Sequence, residues 1–472
     1  MPAPADTPLR RIVICGGGLA AWMLAAHLSR RLPDSTSLAV VGPEAHPVED
    51  ALYGQVLPPE FYGFHLGLGI EEPALLLRTG TAFAFGLSVE QWGRASRSWI
   101  QPFHQPLAAI EGVPLATVIA QQPDTSLQPF LVSVEAIRHG RFAHPPEDSA
   151  HPLSRAEYGY LFDPVELTAL YKNLCPGVEH ITGEFDDLES DGPRGTRLRL
   201  QSGQTIEADL FIDCSGPTAR FARTTPEAKK PFYARLHRQS VRGPDRPVRR
   251  LVANTTGWAT DVITRTGRIG LEVSGERLEG GSAFYPRFQD EPWSGNVVAV
   301  GQAACTLEPL TLAPMRMLLA DIRRLAGLIP VSRDCTIEAR EYNLAARNDR
   351  TNALIFHHAH FADIDLPEGT YWQDNAAFAP PELERKLTQF TERGYLVGYD
   401  HELFDPLDWA VLHDGLGRKP RRPDALARAL DPAKVSAQLD ALRGGVQAVV
   451  AKMPPHAIYM GKFLDYLSRR TG

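Results

Sequence analysis

Arg11-Ile12-Val13-Ile14-Cys15-Gly16-Gly17-Gly18-Leu19-Ala20-Ala21 is the stretch on which the fold turns. Ile12-Val13-Ile14 is apolar and β-branched, the composition of a buried strand. Three glycines follow at once. From residue 20 to residue 32 apolar side chains recur at helical spacing until Arg30-Arg31 and Pro33 end the run. Strand, glycine turn and helix therefore arrive in the order of a dinucleotide fingerprint of the G-x-G-x-x-A type. Gly16 permits the tight turn, Gly18 lets backbone approach a pyrophosphate, and Ala21 allows close helix–sheet packing. The helix N-terminus at Leu19 and Ala20 offers N–H groups to the phosphate. Residues 37–41 read as the second strand of the unit. An acidic side chain at its end would hold a ribose hydroxyl, but that place holds Gly42, and Glu44 two residues later is the candidate. This region alone does not separate FAD from NAD.

A second strand, residues 296–300, runs into Gly301-Gln302-Ala303-Ala304 and then a helix over about 314–328. An extended FAD meets such a second turn at its ribityl and isoalloxazine end, whereas a simple NAD dehydrogenase has no need of one. The expected cofactor is FAD, with Gly301, Gln302 and Ala313 added to its contacts.

The 472 residues make room for about three domain-sized units, or two with long insertions, at roughly 150 residues each. We read 1–335 as an FAD-binding domain with substrate-side segments interleaved at about 101–154 and 226–290, and 336–472 as mostly helical. Residues 160–173 look helical. Residues 197–201 and 206–214 look like a hairpin leading into Asp213-Cys214-Ser215-Gly216, and the basic 229–250 stretch like a loop or crossover. Strand-like segments follow at 251–262 and 268–273. Hydrophobic residues at 43% and charged residues at 22% exclude a disordered or fibrous chain. With 49 basic against 56 acidic residues the net charge is −7, which gives nucleic acid no electrostatic reason to bind. No apolar run approaches the ~18 residues of a membrane span, and the first eleven residues carry no apolar signal region. Five widely spaced cysteines (Cys15, Cys175, Cys214, Cys305, Cys335) make neither a disulfide framework nor a C-x-x-C metal site. A cytoplasmic α/β protein is expected.

Gly16-Gly17-Gly18-Leu19-Ala20-Ala21-Trp22-Met23, Leu68-Gly69-Ile70, residues 83–92, Phe162-Asp163-Pro164, residues 207–216, Gly301-Gln302-Ala303-Ala304 with Glu308-Pro309-Leu310, residues 352–361 and Leu407-Asp408-Trp409 come in one order along nearly the whole chain. In that order they resemble the flavin-dependent tryptophan halogenases, within the p-hydroxybenzoate-hydroxylase-like group of FAD monooxygenases. The resemblance implies that group's α/β fold: a Rossmann-type βαβ unit, a substrate-side sheet and a helical C-terminal region.

Three departures bear on activity. The lysine to which these halogenases relay hypochlorous acid aligns with Ala84, and a methyl group cannot hydrogen-bond hypohalous acid. The W-x-W-x-I-P segment becomes Trp258-Ala259-Thr260-Asp261-Val262-Ile263. After Glu308-Pro309-Leu310 the family's E-S-T-G becomes Thr311-Leu312-Ala313-Pro314, where Pro314 has no N–H to give a halide. The resemblance with these losses implies an FAD monooxygenase that hydroxylates an indole ring through a flavin C4a-hydroperoxide. Relatives of that kind act on a tryptophan within a protein, as in tryptophylquinone biogenesis in quinohemoprotein amine dehydrogenase. The alternatives are a halogenase lacking the usual lysine, an FAD oxidase or dehydrogenase, and a non-catalytic flavin-binding maturation partner. The electron source is either NAD(P)H or a separate flavin reductase.

Gln101-Pro102-Phe103 resembles the family's indole-stacking H-P-F, so Phe103, Gln101 and Trp258 are the substrate candidates, with Trp99 and Trp409 behind them. His65, His104 and Glu72 lie in segments suited to a general base, but no spacing names one. His357-His358-x-His360 lacks a carboxylate facial triad or an H-E-x-x-H pattern, and no metal is expected.

Overall fold

The computed structural model describes residues 7–44, 46–149, 151–221, 230–241, 243–378, 380–400, 402–422 and 424–471. Residues 222–229, within or beside the 226–290 and 229–250 segments, and residue 242 lie outside them. The strand Arg11–Cys15 sits inside a six-stranded sheet. Its parallel neighbours are Ser37–Gly42 on one side and Leu210–Asp213 on the other. Glu179–Thr182 and Val297–Ala299 extend the parallel set, and Trp293–Ser294 closes one edge antiparallel. Alternation along the strand explains the layering. Ile12 and Ile14 face the core that holds the helix Leu19–Leu28, while Val13 and Cys15 face Phe185, Leu198 and Ile206 of a small antiparallel sheet. Buried on both faces, the strand needs no polar residue over Ile12–Cys15, and it has none. The sheet and the helical region confirm the α/β fold read from the motifs.

A second sheet of seven strands stands beyond it, in the order Ser282–Phe284, Phe232–Gln239, Arg268–Ser274, Gly257–Ile263, Val248–Asn254, Gly86–Trp92, Arg97–Pro102. Its pairings are antiparallel except one: Val248–Asn254 runs parallel to Gly86–Trp92. Its strands start at Gly86, ahead of the 101–154 segment. From Thr336 onward the regular structure is helical, beginning with Thr336–Ala359. No helix among the described residues is long and apolar enough to cross a membrane.

Several local expectations change. The 160–173 segment is a short strand, Gly159–Leu161, and then a helix, Pro164–Asn173, whose Asp163 side chain accepts from the Val165 amide. The hairpin is Arg194–Leu200 with Thr205–Glu207, but Leu210–Asp213 leaves it to pair with Arg11–Cys15. Its apolar face is completed by the parallel sheet, a long-range fact that local alternation cannot carry. The basic 229–250 stretch is no loop. It supplies Phe232–Gln239 and the start of Val248–Asn254, because its charges alternate with buried Phe232, Ala234 and Val248. After Gly301–Ala303 the chain makes a short strand, Cys305–Thr306, before the helix Ala313–Gly327.

Candidate functional site

At the C-terminal ends of the Arg11–Cys15, Ser37–Gly42 and Leu210–Asp213 strands lies a cavity of about 260 Å³. Open parallel sheets place ligands there because loops from neighbouring strands diverge at that edge. Gly16, Gly17, Gly18, Ala20, Glu44 and Gln302 line it, with Asp50, Tyr53 and the Ser215–Gly216 turn. Gly16 has φ +149°, and a Cβ on it would overlap the Cys214 carbonyl. The Leu19 amide is already taken: Asp50 Oδ1 accepts from it at 2.8 Å, and the other carboxylate oxygen accepts from Thr168. Burial pushes the Asp50 carboxyl up to about 7. Ala21 is wholly buried and packs the helix onto the sheet instead of lining the cavity.

Both glycine turns meet here. Gln302 donates from its backbone amide to the Tyr53 hydroxyl at 3.2 Å and from Nε2 to the Glu49 carbonyl at 2.8 Å. Its Oε1 is buried with no hydrogen-bond partner among the described residues, and Gln302 lines the cavity, so a bound ligand can supply the missing donor. Gly301 gives its amide to Asp321, and Ala313 gives its amide to the Thr311 hydroxyl. Ser215, Gly216, Thr218 and Arg220 were not anticipated as contacts. Their signal was present: Asp213-Cys214-Ser215-Gly216 ends a buried apolar run, as Cys15-Gly16 does. The Asp213 carboxylate shapes this turn by accepting from the Ser215 and Phe221 amides.

The segment after Tyr53 leads toward the second sheet. Gly54 (φ +92°) lies against Arg249, and a Cβ on it would stand 3.2 Å from Arg249 Nη1. Arg249 has no exposed surface. Its Nε donates to the Thr260 hydroxyl at 2.9 Å and its Nη2 to the Pro309 carbonyl. Thr260, which the resemblance sets at the second tryptophan, is buried with a guanidinium against its hydroxyl. Ala84 is wholly buried in a short strand, Ala82–Ala84, that packs near Val248–Asn254, and the next residue, Phe85, donates to the Pro247 carbonyl. Trp258 Nε1 donates to Tyr371 Oη at 2.9 Å and lies 3.2 Å from Glu308 Oε2, and Tyr371 donates to Glu308 at 2.6 Å. Burial pushes the Glu308 carboxyl up to about 7. Glu308 and Tyr371 border a separate cavity of about 440 Å³ that His357 and His358 also line.

Other candidates are engaged elsewhere. Gln101 Nε2 donates to Asp408 Oδ1 at 2.9 Å, and Phe103 is buried with an edge against Gly159. His65 pairs with the Tyr171 hydroxyl at 2.7 Å, and burial lowers its pKa to about 3. Glu72 accepts from Tyr158, Tyr160 and His144, which hold it below the ordinary carboxylate range although burial alone would raise it. His104 bonds Asp405. Trp99 and Trp409 are buried, with no hydrogen-bond partner for either indole N–H among the described residues. His360 Nδ1 bonds the Phe356 carbonyl, away from His357 and His358. Among the described residues no three His, Cys, Asp or Glu side chains group as metal ligands.

Comparison with known proteins sets this geometry in a family. The family model described as "Tryptophan halogenase" matches residues 11–283 and 264–432. The tryptophan 6-halogenase SttH of Streptomyces toxytricini is 22% identical, the match covering 95% of this chain and 97% of that protein. The solved structure of Xcc4156, a flavin-dependent halogenase of Xanthomonas campestris, superposes with a TM-score of 0.85 at 25% identity over 96% of this chain and 98% of its own. MibH, described as a lanthipeptide tryptophan 5-halogenase, shares the fold at 18% identity with a TM-score of 0.81, over 98% and 95% of the two chains. The cofactor is FAD, and the two glycine turns, the Ser215–Gly216 turn and the unpaired Gln302 Oε1 fit it. With most of its length matched by one family model, the chain belongs to the tryptophan halogenase family.

Proposed function

We propose that the protein is an FAD-dependent enzyme that transfers oxygen to an indole ring, ending in hydroxylation without a halide. Reduced FAD, when bound, supplies the activation of O₂. The chain holds it by Gly16–Gly18 and Gln302, excludes water through the buried wall of Trp258, Tyr371 and Glu308, and orients the acceptor ring. A separate flavin reductase is the electron source we favour. What supports hydroxylation is Ala84: the resemblance sets this methyl at the relay position, and the neighbouring strand Val248–Asn254 carries a buried arginine, Arg249, and no lysine. A guanidinium stays protonated and is a poor nucleophile toward hypohalous acid.

Halogenation is the second reading, and the comparisons by themselves favour it, since every relative reported above is named for that reaction. Hydroxylation and quinone-cofactor maturation have no counterpart among them. For a tryptophan carried on a polypeptide the supporting relative is MibH, described as a lanthipeptide tryptophan 5-halogenase. One experiment separates the readings. Protein, reduced FAD and O₂ are incubated with free tryptophan or with tryptophan-containing peptides, with and without bromide, and products are weighed by mass spectrometry. Oxygen gain independent of bromide supports the proposal, and bromine in the product overturns it.

A further inference from the structure

The cavity of about 440 Å³ beside Glu308 shares no lining residue with the cofactor cavity. It lies between the seven-stranded sheet and the helical region. Phe232 reaches it from Phe232–Gln239, Phe288 from the short strand Arg287–Phe288, Leu354 from Thr336–Ala359 and Tyr371 from the helix Thr370–Ala377. Its volume falls within the roughly 300–1,000 Å³ of small-molecule sites, which join apolar walls to a few placed polar groups. The charged groups on it are unequal. Lys230 and Asp374 satisfy each other through contacts of 2.8 and 2.9 Å. Glu308 is 5% exposed, and both of its hydrogen bonds, from Tyr371 and Trp258, fall on Oε2. Oε1 takes none among the described residues, yet it is not sealed over, so its open surface is toward the cavity. A buried carboxylate oxygen left without a donor is costly, and a ligand N–H is the donor that fits it. Arg287 pairs across a two-residue ladder with Thr306, two positions before Glu308, and makes no hydrogen bond or ion pair among the described residues. A cation and an acceptor therefore stand along one wall.

We propose that this cavity binds an indole-type aromatic acid: its ring N–H donates to Glu308 Oε1, its carboxylate meets Arg287, and its flat face lies among Phe232, Phe288 and Leu354. As the pocket of the acceptor ring it rests on the oxygen-transfer reading above; as a binding site it does not. The place at which the resemblance sets an indole is closed. Ala84 pairs with Gly159, a Cβ on Gly159 would stand 3.1 Å from the Phe103 ring, and Ala84 and Phe103 have at most 1% of their surface exposed. A neutral aliphatic ligand would leave both Glu308 Oε1 and Arg287 without partners, and a phenyl acid would leave the first.

The test is calorimetric titration of protein saturated with oxidised FAD, using indole-3-acetate as the probe. It is run at about pH 8, where the Glu308 carboxyl is mostly ionised, burial having pushed it only to about 7. Saturable binding of one molecule per chain is expected. 1-Methylindole-3-acetate, which has no N–H, should bind at least about tenfold more weakly, the loss of one hydrogen bond to a charged group. Glu308→Gln keeps an oxygen for Tyr371 and Trp258 and turns an amide donor toward the cavity. It should erase the preference, so that the two compounds bind with similar affinity. Arg287→Gln should weaken indole-3-acetate and leave 3-methylindole, which has no carboxylate, unchanged. No saturable binding, equal binding of the N-methyl compound, or a titration unchanged in both variants overturns the proposal. So does binding that disappears when FAD is added, since the cavity then belongs to the cofactor. If Glu308→Gln does not fold, the N-methyl comparison on the wild-type protein decides. The titration involves no turnover, so its failure leaves the oxygen-transfer reading standing. Binding of indole-3-acetate together with a brominated product rejects only that reading.

Discussion

Replacing Asp50 with asparagine is expected to stabilise the protein above neutral pH and leave it unchanged in acid. The Asp50 carboxyl is wholly buried, and its pKa rises from 3.8 to about 7, with desolvation the largest cause and the Leu19 and Thr168 hydrogen bonds opposing it. The folded chain therefore binds this proton more tightly than the unfolded chain does. Below the unfolded pKa both states are protonated and the group has no effect. As pH climbs toward the folded pKa, the unfolded state gains by ionising first and stability falls; above about 7 the loss is complete. At about 1.4 kcal/mol for each tenfold change, that window is worth on the order of 4 kcal/mol. Asparagine keeps the geometry: its Oδ1 accepts from the Leu19 amide, and its Nδ2 donates to a Thr168 hydroxyl that turns from donor to acceptor. Urea unfolding of both proteins from pH 4 to pH 8.5 gives the answer. The two curves should coincide near pH 4 and separate steadily to about neutrality. A difference that does not depend on pH, or a variant less stable at pH 8, would refute the reasoning, since either means the carboxylate is not paying a desolvation cost.

Gly16→Ala is expected to abolish FAD retention on gel filtration, because its Cβ would overlap the backbone carbonyl of Cys214 in a residue held at φ +149°; a variant that stays yellow contradicts this. Ala84→Lys alone is expected to give no halogenated product by mass spectrometry, since Pro314 still presents no N–H to a halide. Tyr371→Phe removes a donor to a buried carboxylate and an acceptor for Trp258, and is expected to cost about 1.5–3 kcal/mol in urea unfolding. The same variant should lift the Glu308 pKa further, because one of the two bonds that oppose burial is gone. Glu308→Gln in the Tyr371→Phe background should then lose the share of the pH dependence between pH 5 and 8 that Glu308 contributes, leaving that of Asp50 in place.

The cofactor end of the molecule was readable because its signals are local. Gly16, Gly18 and Gln302 stand at turns directly after apolar strands, and turn chemistry is written in neighbouring residues. Asp50 was not readable: it belongs to the five-residue helix Pro47–Ala51, and only the folded chain lays that helix across the start of Leu19–Leu28. His65 and Glu72 looked available for proton transfer for a similar reason. The tyrosines that occupy them, Tyr171, Tyr158 and Tyr160, are distant in the chain. Arg249 was hidden inside a basic stretch, yet a signal existed. Adjacent residues of a strand point to opposite faces, so Arg249 and Arg250 cannot both be solvated if one face is core. Arg250 is the exposed one and pairs with Glu90.

The one parallel pairing of the seven-stranded sheet, Val248–Asn254 against Gly86–Trp92, constrains how the chain can be made. A parallel pair needs a long crossover, and this one encloses two strands of the six-stranded sheet, Glu179–Thr182 and Leu210–Asp213. Roughly 150 residues must leave the ribosome after Pro102 before its partner appears, which at about 5–20 residues per second is roughly 7–30 s. For that interval the Gly86–Trp92 edge has no neighbour on one side, an invitation to pairing with another nascent chain. The same crossover rules out a simple division of the gene. Cut between residues 102 and 248, neither fragment would carry a complete sheet, and joining the pieces would require the strand edge to be found a second time, in trans.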